Sequence, residues 1–311
     1  MDKDKNTTTG NTTLESADRV EVTVLVDNFI DSTLRSSANV SRFRDRNIDE
    51  PLLAEHGLSL WIEITGRGEK RSFLLDTGST GFALGYNAEK LGINLKEAGG
   101  IFLSHNHKDH TAGIETVLAK TGPVPVFIHP YGFHTKWVKS RSNPLEKDRL
   151  AGLGAQWRAG EGPQLMSPCL LTTGTVPRST DFEEVIGQSD RRVEKDGVME
   201  PEKFLDDGAL LMRIEGKGLV IVTGCAHSGI INTIDHAQKL GGNERIHAVI
   251  GGFHLTQGSP ERISKTIQAL KDKEIRYLLP LHCTGFKAMA SMWQAFPETY
   301  VIPSVGTRIA L

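Results

Sequence analysis

Two separate stretches of this chain carry the same parts in the same order. "HGLSLWIEITGRGEKRSFLLDTGSTG" (56–81) reads as strand, glycine-containing turn, strand and glycine-rich end, and "DGALLMRIEGKGLVIVTGCAHSG" (207–229) reads the same way. Each is followed by a short apolar strand running into histidine, "GGIFLSHNH" (99–107) and "IHAVIGGFHL" (246–255). A repeated supersecondary unit limits the architecture more than any single segment does, because each unit must bury its apolar face against another. The chain therefore reads as two similar αβ halves, and in this register His254 is the counterpart of His105.

The remaining segments fit that plan. "VEVTVLVDN" is β-branched and reads as a strand leading to Asp27 and Asn28; residues 31–50 read as loop. "LSLWIEI" and "SFLLDTG" form a hairpin across "TGRGEK". "YNAEKLGI" and "TAGIETVLAKTG" are helices closed by Gly92 and Gly122, and "SPERISKTIQALKDKEI" is a helix with Ser259 as N-cap and Pro260 behind it. "RYLLPLHCTG" reads as a final strand ending at His282. Residues 131–205 mix Arg, Gly, Pro and acidic runs with short strand-like pieces, and read as one long excursion from the domain. The polar first 18 residues read as a flexible leader, which leaves 19–311 as a single domain.

The chemistry concentrates in "IFLSHNHKDHTAG" (101–113), where His105, His107, Asp109 and His110 fall within six residues. Imidazole and carboxylate present lone pairs at neutral pH, so such a group can hold divalent metal, enough donors for two adjacent ions. The alternative is a polar surface loop whose histidines are incidental. Three further apolar runs also end at or near a histidine, at His227, His254 and His282. Ligands arriving on separate strand ends are what a buried metal site requires.

Composition excludes several partners. Lys+Arg 36 against Asp+Glu 38 leaves a net charge of −2, with none of the clustered basic charge that nucleic acid or an anionic membrane surface would select. No apolar run approaches the roughly 18 residues needed to span a bilayer. Three cysteines make no disulfide framework and point to a reducing, cytoplasmic setting. A small-molecule substrate fits better. The sequence leaves the oligomeric state open.

On "LLDTG" (74–78), "SHNHKDHTAG" (104–113), "VTGCAHSG" (222–229) and "LPLHCTG" (279–285) the chain resembles the metallo-β-lactamase superfamily. That resemblance implies an α/β (α+β) fold, a four-layer αββα sandwich of two similar halves with the metal site at one edge of the sheets. It further implies one or two divalent ions: Zn first, with Mn, Fe or Mg as alternatives. His105 and His107 would hold the first ion; Asp109, His110 and His282 the second. Asp76 would orient a ligand rather than bind metal. Two positions depart from the family pattern. The strand after the excursion, "TTGTVPR", lacks the usual further histidine, and Cys225 stands where a bridging aspartate is usual. The missing donors are sought first in His227, then in Cys225 and His254, with Cys225 reading equally as a buried structural thiol. Asp109 and His227 are the candidates for catalysis.

"LLAEHGLSLWIE", "LGYNAEKLGINL", "TGCAHSGIINTI" and "GGFHL" narrow the resemblance to a branch that includes an archaeal methanopterin-pathway synthase. This implies a phosphorylated substrate and a transferase joining a dihydropterin diphosphate to a ribofuranosylaminobenzene phosphate with release of pyrophosphate. A metal-dependent hydrolase of a phosphoester or lactone is the alternative, and a non-catalytic metal- or ligand-binding protein the third. Asn28, Glu55, His56 and Arg178 are candidate substrate contacts, each with a local structural role as the competing reading. Lys136, Lys139 and Arg141 are candidate phosphate contacts or exposed basic side chains. Phe133 and Trp137 read as ring-stacking or packing residues.

Overall fold

The computed structural model describes residues 13–43, 51–183 and 190–311. Residues 1–12 of the expected leader lie outside the described residues. Its end does not behave as a leader: Leu14 is buried, and Ser16–Ala17 pairs in parallel with Arg213 and Ile214.

The strands of the two repeats segregate into two sheets. The first runs in the order Ala155–Ala159, Val124–Ile128, Ala98–Phe102, Glu69–Leu75, Ser59–Gly66, Arg19–Val26, Arg308–Ala310 and Val40–Ser41. The second runs Gln164–Ser167, Leu170–Thr172, Ala209–Ile214, Gly218–Thr223, Ile246–Gly252 and Tyr277–Leu281. The repeat is visible as topology. In each sheet an antiparallel hairpin (59–75 and 209–223) is followed by two parallel strands.

Alternation fixes the layers, because successive side chains on a strand point to opposite faces. Val20, Val22, Val24, Leu60 and Ile62 of the first sheet meet Leu210, Met212, Val220, Val222, Ala248 and Ile250 of the second in one shared core. The odd members of those strands face outward instead. Leu219, Ile221 and Val249 pack beneath the helices Ile230–Leu240, Pro260–Lys271 and Phe286–Ala295. Leu74, Ile101 and Val126 pack beneath Phe82–Lys90 and Ile114–Thr121. The result is the αββα sandwich. Full burial of each such aliphatic side chain is worth about 1.5–3 kcal/mol, so a one-residue register slip in any central strand would forfeit several of these at once.

Residues 131–205 are not one excursion. Ala155–Ala159 closes the edge of the first sheet and Gln164–Thr172 the edge of the second. What is added is a separate four-stranded sheet in the order Val198–Pro201, Arg191–Lys195, Thr135–Val138 and Arg141–Asn143. Its hairpins turn at Asp196-Gly197, with φ of 52° and 76°, and at Lys139, with φ of 54°. Nor is Tyr277–Leu281 the last strand, since Arg308–Ala310 returns to pair with Arg19–Val26.

Among the described residues no helix is long and apolar enough to cross a membrane.

Candidate metal centre

Strand direction explains why so many reactive side chains share one edge. Glu69–Leu75, Ala98–Phe102 and Val124–Ile128 run parallel, so their C-terminal ends emerge together. Gly218–Thr223, Ile246–Gly252 and Tyr277–Leu281 do the same in the second sheet. The two edges meet closely at Gly224, where a Cβ would lie 2.0 Å from Ser104 Oγ. Chain reversal directly after the strands puts Asp76, Ala226, His254 and His282 at φ of 56°, 55°, 46° and 50°. Left-handed backbone in four non-glycine residues at one edge is the kind of local strain that functional sites carry.

The side chains converge in two groups. His105, Cys225 and His227 present ligand atoms within 4.8 Å of one another, and so do His110, Cys225 and His282. Cys225 belongs to both. His107 completes the first group: its Nδ1 lies 3.0 Å from His105 Nε2, and its ring is 4.8 Å from that of His227. Asp109 completes the second, with Oδ2 3.1 Å from His282 Nε2 and 3.7 Å from His110 Nε2. A third set, Cys225, His254 and Cys283, adjoins them.

Behind these groups sits a scaffold of hydrogen bonds that fixes which nitrogen faces inward. Asp76 is fully buried and accepts from Ser104 N at 2.8 Å, Ser104 Oγ at 2.7 Å and His110 Nδ1 at 2.6 Å. Ser104 Oγ also lies 2.9 Å from His105 Nδ1. One carboxylate thus holds His110 directly and His105 through a hydroxyl, leaving both Nε2 atoms pointing into the cluster. Asn28 does the same for His282, its Oδ1 lying 3.1 Å from Nδ1. The Asn28 contact is with His282 and with Gly57 N, so its amide supports a donor and does not line an open pocket.

Burial and neighbouring charge set the protonation states. Burial holds His105 and His227 well below the ordinary histidine value, reinforced by the imidazoles around each. Burial opposes charge on His110 too, but Asp76 and Asp109 outweigh it and raise the group to about 9. Asp109 is held far below the carboxylate range by His110 and His282, against burial. Burial pushes the Cys225 thiol well up.

The fold family implies divalent metal here, and the residues present fit it. Both ring nitrogens of His227 are buried without a hydrogen-bond partner, stacked 4.4 Å from Phe204 and aimed among His105, His107 and His254. Leaving an imidazole nitrogen dry and unpaired costs about 1–3 kcal/mol, and a bound cation would remove that cost at the nitrogen that ligates it.

The added sheet contributes residues that sequence reasoning did not place. Arg191 Nη1 lies 3.2 Å from His107 Nε2, with Glu202 Oε2 at 3.5 Å from the same nitrogen. Lys136, read as a phosphate contact or an exposed base, is neither: it is buried, with Nζ 2.6 Å from Glu202 and 3.0 Å from Asp206. The Asp196-Gly197 pair between strand-like runs was the signal for this hairpin. Other candidates lie further out. His56 is exposed at the rim, Nε2 3.4 Å from Asp109. Glu55 accepts from Ser79 N at 3.0 Å and Thr80 Oγ1 at 2.7 Å, which anchors the loop leading into Phe82–Lys90. Arg178 donates to Lys203 O at 2.6 Å and does not reach the cluster. His129 and His236 are satisfied locally, by Thr175 and by Thr173 O. Phe133 packs edge-on against Trp157, and Trp137 bonds Glu194.

Comparison with known proteins decides the family. The model of the metallo-β-lactamase superfamily matches residues 54–222, more than half of the chain. The chain belongs to that superfamily. It is 33% identical, over 81% of its length and 88% of the relative's, to the 7,8-dihydropterin-6-methyl-4-(β-D-ribofuranosyl)-aminobenzene-5′-phosphate synthase of Methanocaldococcus jannaschii. An uncharacterized protein of the same organism is 29% identical over 86% of this chain and 98% of its own. Among solved structures, a metal-dependent hydrolase of the β-lactamase superfamily superposes with a TM-score of 0.74 at 24% identity, covering 93% of this chain and 98% of that one. A metallo-β-lactamase fold protein from Bacillus subtilis gives 0.53 at 13% identity, covering 94% and 100%. These two show the fold.

Proposed function

We propose that this protein is a metal-dependent transferase that joins a dihydropterin diphosphate to a ribofuranosylaminobenzene phosphate, releasing pyrophosphate. The observation that carries this reading is the 33% identity to the synthase across most of both chains. His105, His107 and His227 would hold one divalent ion and Asp109, His110 and His282 the other, with Cys225 between them. Imidazole with a thiol favours Zn over Mn or Fe and disfavours Mg, which prefers oxygen ligands. Bound there, divalent metal supplies positive charge that neutralises a departing diphosphate.

The chain's own residues do the rest. The acceptor's amine, the strongest nucleophile on an aminobenzene, attacks the pterin methylene; the C–N bond forms as the C–O bond to diphosphate breaks, and the amine loses a proton. Asp109 is ionised and only partly buried, so it can accept a hydrogen bond from the amine and orient it, while the proton leaves to solvent. Asp76 and Asn28 keep the donor imidazoles aligned. Holding the two substrates together contributes through orientation.

Hydrolysis of a phosphoester or lactone is the second reading. The grouping of His227 with His105 and His107 favours it, because it supplies the third imidazole that the strand "TTGTVPR" lacks. Mass spectrometry of metal-loaded protein with dihydropterin diphosphate, with and without acceptor, separates the two. A coupled product and pyrophosphate that need acceptor, and that disappear in His107→Ala, support the transferase. Free hydroxymethylpterin in both tubes supports the hydrolase, and no change in either sinks the pterin assignment.

A further inference from the structure

The helix Phe286–Ala295 is apolar on two faces. Ala288 and Met292 point into the core beneath the second sheet. Phe286, Met289, Ala290 and Trp293, spaced i, i+3, i+4, i+7, form a second stripe on the other side. Phe286 is 83% exposed and Trp293 57% exposed. Together with Phe29, Tyr300, Ile302 and Pro303 this stripe walls a cavity of about 270 Å³. Large aromatic side chains left in water across one contiguous hollow mark a binding surface.

Its place in the chain says what it binds. Phe29 directly follows Asn28, the residue whose amide holds His282. Phe286 begins the helix that follows the His282–Thr284 turn and Gly285, only four residues after His282. At 3.8 Å per residue the Cα atoms of His282 and Phe286 are at most about 15 Å apart, so both aromatics sit on the chain segments that hold the cluster. Gly285, at φ 79°, turns the chain from the cluster into this helix, and a Cβ there would sit 2.6 Å from Thr256 Oγ1.

The lining also discriminates between substrates. The Trp293 indole N–H and the Tyr300 hydroxyl are the two polar side-chain groups among the eight lining residues, and the surface they present to the hollow is almost wholly apolar. A pterin carries several ring donors and acceptors, which an apolar wall would strip of water and leave unpaired, at a cost of about 1–3 kcal/mol each. A benzene ring has no such groups on its faces, and gains from offset or edge contacts with Phe and Trp. We infer that this hollow is the acceptor subsite: it takes the benzene ring of the aminobenzene substrate, with the ring's amine directed toward Asp109 and the cluster, while the pterin binds elsewhere. The inference rests on the transferase reading for the identity of the substrate and on the hollow's own chemistry for the preference.

The test uses full-length metal-loaded protein and two probes, 4-ethylaniline and 6-hydroxymethylpterin, with binding followed by ligand-observed NMR. Phe286→Ala and Trp293→Ala alter exposed side chains, so folding and metal content should hold. Each should weaken 4-ethylaniline about tenfold and leave 6-hydroxymethylpterin unchanged. Phe286→Tyr should retain binding. In the coupled assay the same alanine variants should raise the acceptor KM while the KM for the pterin diphosphate stays put. Unchanged 4-ethylaniline binding in both variants overturns the subsite. So does sedimentation showing that the stripe is occupied by a second copy of the chain, with dimer lost in Trp293→Ala. Failure of the two proposals looks different. Aniline binding lost in the variants with no coupled product keeps the hollow and removes the transferase. Coupled product with an unaltered acceptor KM keeps the transferase and removes the hollow.

Discussion

The two halves of the molecule share a framework and differ at their strand ends. After the first hairpin comes Asp76, a buried carboxylate that holds Ser104 and His110. After the second comes Gly224 with Cys225, a neutral buried thiol close to His110 and within both donor groups. After the next strand the first half spends six residues on four donors, whereas the second half offers His254 alone. The helices that follow the hairpins are each approached by a carboxylate, at the preceding loop in the first half and at the helix's own first turn in the second. Glu55 accepts from Ser79 N and Thr80 N in the loop before its helix, whereas Glu183 accepts from Ile231 N and Asn232 N inside its helix and caps it. Backbone architecture is therefore common to both halves, and the chemistry is concentrated asymmetrically in the loops. One half holds the orienting carboxylate and most of the candidate donors, and the other contributes Cys225, His227 and His282 across the seam.

That asymmetry can be broken from either side. Asp76→Ala should be the most damaging single change, because it leaves Ser104 N, Ser104 Oγ and His110 Nδ1 buried without their acceptor. A loss of about 3–5 kcal/mol is expected, read by urea denaturation, together with a 10–100-fold fall in metal affinity. The topological counterpart, Cys225→Ser, should change stability of the metal-free protein by under about 1 kcal/mol and still lower metal content. Equal destabilisation by the two would show that the halves are not specialised as described.

Gly224→Ala targets the seam. The new methyl would overlap Ser104 Oγ and crowd Asp76 Oδ2, at 3.0 Å. Overpacking at this junction should cost about 1–3 kcal/mol and loosen His105, visible as reduced metal occupancy by elemental analysis. A variant with wild-type melting and metal content would mean that the sheet edges have more play than this contact allows.

The caps give a graded comparison. Glu183 is 4% exposed and makes charge-assisted bonds to two helix N–H groups, so Glu183→Gln should cost about 1.5–3 kcal/mol. Glu55 is more accessible, and Glu55→Gln should cost under about 1 kcal/mol. Thermal melts of the pair at one pH decide the order.

The smallest effect is a pH dependence confined to the second half. His247 lies beside Lys217, Arg245 and Arg276, and burial with those cations lowers it from 6.5 to about 4. Its folded-state value is below the unfolded one, so the folded protein is fully favoured above 6.5. Stability is lost as pH falls from 6.5 towards 4, where the unfolded chain takes up the proton first. His247→Gln should flatten that part of the acid limb. Since the side chain is partly solvated, the change should be a small shift in denaturation midpoint, absent at pH 8.

Much of this was legible in the sequence because it follows from short-range rules. The hairpins, the parallel strands and the helix caps at Gly122 and Ser259 are written in alternation and turn chemistry within a dozen residues. The histidine cluster and Asp76 were legible for the same reason: they sit at strand ends. Lys136, Arg191, Glu202 and Phe204 were not, because contacts that place them span long stretches of chain, as from Lys136 to Glu202 or from His107 to Phe204. No local pattern encodes such a pairing. The placement of His227 in the first donor group depended likewise on how closely Gly224 lets the two sheets approach.

The central claim, two adjacent metal positions sharing Cys225, is tested most directly by anomalous diffraction at the zinc edge from crystals of zinc-loaded protein. Two peaks about 3.5–4 Å apart are expected, one among His105, His107 and His227, the other among Asp109, His110 and His282, with Cys225 Sγ between them. A single peak away from Cys225, or zinc held only by His254 and Cys283, would contradict it.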